Sequence, residues 1–202
     1  MIRSYGGDGY FGYTKAAGTR IQFLVAPLVL AILRLTRLVY TAAGTSHTLT
    51  ILRPIGRTVA NATAAAAATT VQFLADPGPS GNALAANDLV AIRETDGVTR
   101  LYKVSSVPGS YPGGVVLTAG LTAGVVQGSK VWNFGITTDT DPATGRPHPT
   151  IPSGTGAITL QDSDSGIVAG LAQDDPILID SDNGTSAGTI TQACWSYTPP
   201  VQ

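Results

Sequence analysis

The sequence predicts an all-β fold: a β-barrel or β-sandwich core of short antiparallel strands, with an extended N-terminal arm. Three observations carry this. The chain of 202 residues holds one Glu (Glu94) and three Lys, whereas helical bundles and coiled coils are rich in Glu, Lys, Leu and Arg. Ala, Gly and Thr together supply 76 of the 202 residues. Short alternating apolar runs are repeatedly cut by clusters of Gly, Pro, Asp and Ser, the pattern of strands joined by turns.

Composition excludes other classes. Disorder needs low hydrophobicity and high net charge; here 43% of residues are hydrophobic and the net charge is -1. A single cysteine, Cys194, forbids a disulfide scaffold. Charged residues make up 12%, about half the usual share, and so sparse a charge guards a surface poorly against association. No basic excess marks a nucleic-acid binder. Charge is divided, however. Residues 1–103 carry ten basic and five acidic groups, net +5; residues 104–202 carry two and eight, net -6. Such asymmetry can orient copies head to tail or dock one end on an acidic surface. Met1-Ile2-Arg3 leads into Gly- and Tyr-rich sequence without an apolar signal region. The longest apolar run, Ile21–Leu33, is interrupted by Pro27 and is shorter than a spanning helix needs; it reads as a buried strand pair or a short helix. Neither membrane contact nor export is expected, and synthesis in a reducing cytoplasm is.

Residues 1–18 form a zone of their own, a Gly/Tyr-rich docking arm. Tyr5, Tyr10, Phe11 and Tyr13 sit among Gly6, Gly7, Gly9 and Gly12. Glycine leaves the backbone free and aromatics bring contact area at low entropy cost, so such an arm orders against a neighbour. Residues 19–136 read as the barrel or sandwich core. Leu33, Leu35 and Val39 alternate with Arg34, Thr36 and Tyr40. After the turn residues 42–46, Leu49 and Ile51 alternate again, which predicts a β-hairpin closed by Arg53-Pro54. The five-alanine run 64–68 is open to either state: alanine favours helix and the flanking threonines favour strand. Val71–Leu74 is a strand ended by Asp76-Pro77-Gly78-Pro79. Asp88–Arg93 and Thr99–Val104 flank Asp96-Gly97, the strongest local hairpin signal in the chain. Val115–Leu117 and Lys130–Phe134 are further strands. Residues 137–156, with little apolar content, read as a Pro-rich loop or linker. Residues 157–202 read as an acidic β-hairpin region. Within it, Leu160–Gly166 is echoed by Leu178–Gly184, two strand-turn units with Ile158, Leu160, Ile177 and Ile179 as buried candidates.

Chemistry finds little footing. The doubled Asp-Ser-Asp invites a calcium reading. No glutamate stands nearby to complete it, and Asp, Ser, Asn and Gly are standard turn formers, so no metal and no cofactor are expected. His47 and His148 belong to no ligand or catalytic motif. Cys194 reads as a small buried thiol, and Trp132 and Trp195 as core residues. No nucleophile elbow, Walker loop or dinucleotide fingerprint is present. The Asn61-Ala62-Thr63 sequon has no meaning without secretion.

The segment Leu38–Pro54, with Asp88-Leu89-Val90, Tyr102-Lys103-Val104 and Val131–Gly135, resembles β-rich virion proteins of tailed bacteriophages, the capsid decoration (cement) proteins above all. The likeness spans roughly residues 33–135 and is one of style rather than of an invariant signature. It implies a structural virion protein without enzymatic activity. Such a protein binds the capsid exterior as an oligomer, a homotrimer or homodimer, and cements neighbouring major capsid subunits. The arm residues Tyr5, Tyr10, Phe11 and Tyr13 would then clamp capsomers, and Arg34, Arg37, Arg53 and Arg57 would face an acidic shell. The partners are the major capsid protein and the chain itself, with no nucleic acid and no membrane. The acidic C-terminal part has no counterpart in the resemblance. A tail or fibre protein is the alternative; a carbohydrate-binding module or small hydrolase fits less well.

Overall fold

The computed structural model describes residues 13–15, 22–27, 31–42, 48–79, 82–135, 140–141, 146–147, 150–152, 157–161, 171–181 and 188–198. It is all-β, as the composition predicts. Its contacts divide the chain into two compact units, 54–146 and the combination of 1–53 with 147–202. The cuts at Pro54 and Arg146 fall elsewhere than the sequence-based boundaries at 18/19, 136/137 and 156/157.

The unit 54–146 holds a sheet of six strands: β5 (Gly56–Val59), β6 (Thr70–Phe73), β7 (Leu89–Arg93), β8 (Thr99–Ser106), β9 (Gly113–Leu117) and β10 (Lys130–Gly135). They pair antiparallel in the order β5-β10-β7-β8-β9-β6. The sheet curls until its first and last strands meet. Ala60 bridges Phe73, Asn61 N–H donates to Gln72 O at 2.8 Å and Leu74 N–H to Val59 O at 2.9 Å. Curling in this way removes sheet edges that would otherwise template aggregation. Alternation fills the interior: Val90 and Ile92 of β7, Tyr102 and Val104 of β8, Val115 and Leu117 of β9, Val71 and Phe73 of β6 and Val131 of β10 share one core with Leu84, Leu121 and Val125. Each fully buried side chain of this size contributes about 1.5–3 kcal/mol. Trp132, one residue on from Val131, lies on the opposite face of β10. It is buried there, with the Arg93 guanidinium 5.5 Å from its ring centroid.

The alanine run resolves as neither helix nor named strand. Ala64 pairs with Val125 in both directions, at 3.0 and 2.8 Å, and Ala67 N–H and Ala68 O bond Leu121 O and N–H at 2.7 and 3.0 Å. Backbone groups engaged this way cannot build helical i→i−4 bonds. Ala67 adopts φ 65°, a left-handed turn in the middle of the run.

The second unit contains two four-stranded sheets. One has the order β1 (Tyr13–Lys15), β16 (Gly188–Thr198), β3 (Ile32–Ala42), β14 (Ala157–Gln161); the other has β13 (Thr150–Pro152), β4 (Thr48–Leu52), β15 (Ile177–Ser181), β2 (Gln22–Val25). Leu178 and its neighbours Ile177 and Ile179 are all buried, as befits a central strand covered on both faces. Asp174 N–H donates to Ala31 O at 2.7 Å, tying the approach to β15 to the approach to β3.

Four expectations change here. The run Ile21–Leu33 yields two strands, β2 and β3, in different sheets. Leu33–Leu52 is not a hairpin: β3 pairs with β14 and β16, while β4 pairs with β13 and β15. Residues 137–156 hold three short strands, β11 (Thr140–Asp141), β12 (Arg146–Pro147) and β13. The C-terminal strands form no hairpin among themselves, because β14, β15 and β16 each pair with strands from the first 52 residues. Both strands of the internal echo do form, one in each sheet. Ile177 and Ile179 are buried as expected; the side chains of Ile158 and Leu160 lie outside the described ones. Among the described residues no helix is long and apolar enough to cross a membrane.

Candidate functional site

A dense polar cluster among the described residues lies at the end of the barrel where β7 turns into β8. Asp96-Gly97 builds this turn. Gly97 adopts φ 74°, its N–H donates to Glu94 O at 2.9 Å, and Glu94 N–H donates to Val98 O at 3.0 Å. That is a type I turn followed by a left-handed glycine, a standard three-residue hairpin loop. Asp96 Oδ1 accepts Val98 N–H at 3.0 Å.

Glu94, the chain's one glutamate, has a fully buried side chain. Its Oε1 accepts the Tyr102 hydroxyl and the Thr122 N–H (3.1 Å); its Oε2 accepts the Ala123 N–H and Arg100 Nη1 (2.8 Å). A buried carboxylate is costly unless it is paired and hydrogen-bonded; here both oxygens are engaged by the protein's own donors. Thr95 adds two ties to the same loop, its N–H to Gly124 O at 3.0 Å and its hydroxyl to Ala123 O at 2.7 Å. Residues 121–125 are thus fastened over the end of the barrel. Arg100 bridges outward: Nη1 and Nη2 reach Asp96 Oδ1 and Oδ2 at 3.0 and 2.7 Å. The guanidinium and the Val98 N–H hold the exposed Asp96 carboxyl down at about 2. Burial, then the Glu94 carboxylate, pushes the Tyr102 phenol above its ordinary value. At the other end of the barrel, burial and then the Asp76 charge push the Tyr111 phenol up to about 12. Asp76 Oδ1 organises the loop there, accepting Gly78 N–H at 2.7 Å and Leu84 N–H at 2.9 Å.

The residues singled out from sequence are not gathered into this cluster. Tyr5, Tyr10 and Phe11 lie outside the described residues. Tyr13 opens β1 and pairs with Ile190. Arg34 and Arg37 sit on β3, opposite Ser196 and Cys194 of β16. Arg53 is 7% exposed, so its side chain is not part of an exposed basic face. Arg57 on β5 is exposed, in register with Trp132. His47 and His148 lie outside the described residues, as do the Asp-Ser-Asp turns save for Asp180 and Ser181 at the end of β15, where Asp180 is fully buried. Among the described residues no group of three or more His, Cys, Asp or Glu is placed to hold a metal. Sequence reasoning missed Glu94, Arg100, Tyr102 and Thr122 as a unit. The available signal was a solitary glutamate two residues before an Asp-Gly turn, with Arg and Tyr just beyond it.

Comparison with protein-family models, with curated proteins and with solved structures finds no match to this chain.

Proposed function

We propose that the chain is a structural virion protein that binds the outside of a phage capsid as an oligomer and cements neighbouring major capsid subunits. The observation that carries the reading is the open edge of β16, of which the chain's own β1 covers only the start. Tyr13–Lys15, from the Gly/Tyr-rich N-terminal zone, adds as an edge strand to Gly188–Ile190 of β16. Strand addition gives affinity through main-chain hydrogen bonds and specificity through alternate side chains. Beyond Ile190, the same edge of β16, Thr191–Thr198, has no partner strand among the described residues. A sheet edge of this kind is a template for a strand of a neighbouring molecule. The sparse charge supports dense packing of copies, and Arg34, Arg37 and the exposed Arg57 supply basic groups for an acidic shell; the +5/-6 division runs along the sequence only, since each unit combines residues of both halves. Each contact need only be modest, because many copies act together and binding favours the assembled state.

The test is co-sedimentation with empty shells of the cognate major capsid protein. The full chain is expected to pellet with shells and raise their melting temperature. Removal of residues 1–12, and separately charge reversal at Arg34, Arg37 and Arg57, should each weaken binding. Arg53 is left intact because its burial would confound the variant. Undiminished binding by both variants overturns the arm-and-arginine reading.

A further inference from the structure

Among aspartyl peptides Asp–Gly is the most prone to succinimide chemistry, because glycine's missing Cβ leaves its amide nitrogen open to the preceding side chain. Asp96-Gly97 is the one Asp–Gly or Asn–Gly pair among the described residues. It sits at an exposed loop tip; the Asp96 side chain is 39% exposed and nothing approaches within 4 Å of where a Gly97 Cβ would be. Sequence and exposure alone mark it as reactive.

The geometry opposes the reaction at both reacting groups. The nucleophile is the Gly97 nitrogen, whose N–H is held on Glu94 O at 2.9 Å. The electrophile is Asp96 Cγ, whose oxygens are clamped by Arg100 Nη1 at 3.0 Å, Arg100 Nη2 at 2.7 Å and Val98 N–H at 3.0 Å. A bidentate guanidinium fixes the plane of a carboxylate and stabilises its charged form. Ring closure needs the uncharged carboxyl, turned toward the next nitrogen. Arg100 is itself anchored by Glu94 inside the barrel at 2.8 Å, so the clamp does not drift with the loop.

We propose that Asp96–Gly97 is a site of isoaspartate formation held in check by the Arg100 clamp. In the reaction the Gly97 nitrogen bonds to Asp96 Cγ and gives up its proton, and one carboxyl oxygen leaves as water, forming the succinimide. Water then adds back. Addition at Cγ restores aspartate; addition at the main-chain carbonyl carbon breaks its bond to nitrogen and leaves the chain running through the β-carbon. No oxidant or second reactant is consumed, and the final mass is unchanged.

The test is ageing of the full chain at 37 °C and neutral pH, with isoaspartate at residue 96 quantified by peptide mapping. Asp8-Gly9 and Asn183-Gly184 are read in the same map as references. Arg100→Lys keeps the positive charge for Glu94 and loses the bidentate grip. It is expected to raise the rate at residue 96 about tenfold, the equivalent of one charge-assisted hydrogen bond, with both references unchanged. A synthetic peptide spanning 92–101 should isomerise at least that much faster than the folded chain. An Arg100→Lys rate equal to wild type overturns the proposal. So does a folded wild-type chain that isomerises as fast as the peptide, and this comparison stands whether or not the variant folds.

Discussion

Replacing Glu94 by Gln keeps the shape of the side chain and removes its charge. The amide oxygen can still accept the Tyr102 hydroxyl and the Thr122 N–H. In that orientation the amide nitrogen faces the Ala123 N–H and Arg100 Nη1, donor against donor; the flipped amide turns its nitrogen on the Tyr102 hydroxyl, which can accept, and on the Thr122 N–H, whose remaining acceptor is the Tyr102 oxygen at 3.2 Å. A buried N–H left without an acceptor costs about 1–3 kcal/mol. The lost pairing with Arg100 adds less than about 1 kcal/mol, since that guanidinium is a quarter exposed and screened by solvent. The expected loss is about 1–4 kcal/mol, confined to the barrel. Amide hydrogen exchange is the suitable assay, because a chain of two units need not unfold in one step. Thr122 and Ala123 should lose protection in Glu94→Gln before the β6–β9 amides do. Unchanged protection at Thr122 and Ala123, with a stability change under about 0.5 kcal/mol, would refute the view that this carboxylate fastens the loop.

Two glycines should lose stability on replacement by alanine for different reasons and by different amounts. At Gly56 the new Cβ would stand 1.6 Å from the Pro77 carbonyl oxygen, so backbone must move and the loss should be about 3 kcal/mol or more; at Gly97 only the positive φ resists, about 1–2 kcal/mol, and chemical denaturation of the two variants measures the difference. Tyr111 yields a pH signature. Its folded value of about 12 lies above the ordinary 10, so its contribution to stability is complete below pH 10 and is lost as pH rises through 12. Unfolding followed across that window should show a loss that is smaller in Tyr111→Phe; identical curves would contradict the assignment.

Local chemistry made some of this architecture readable. Asp96-Gly97 announced its hairpin because the left-handed position after a type I turn suits glycine, and the alternation in 88–93 and 99–104 agreed. Strand partners were less legible. Leu33–Leu52 shows the alternation of a hairpin, yet β3 and β4 go to different sheets, because their partners β14, β15 and β16 come from the last 46 residues. Nothing in adjacent sequence encodes such distant pairing. The alanines 64–68 were ambiguous because the residues that engage their backbone, Leu121 and Val125, lie more than fifty positions away. The Glu94 cluster was hidden for the same reason: two of its donors are backbone N–H groups, which carry no residue signature.

The reading of this chain as a capsid cement stands most directly on where it sits in its particle. Image reconstruction of native virions, compared with particles lacking the protein, locates it. The account predicts density on the outer shell, spanning boundaries between major capsid subunits, that disappears with the protein. Density confined to the tail or fibres, with an unchanged shell, would contradict it.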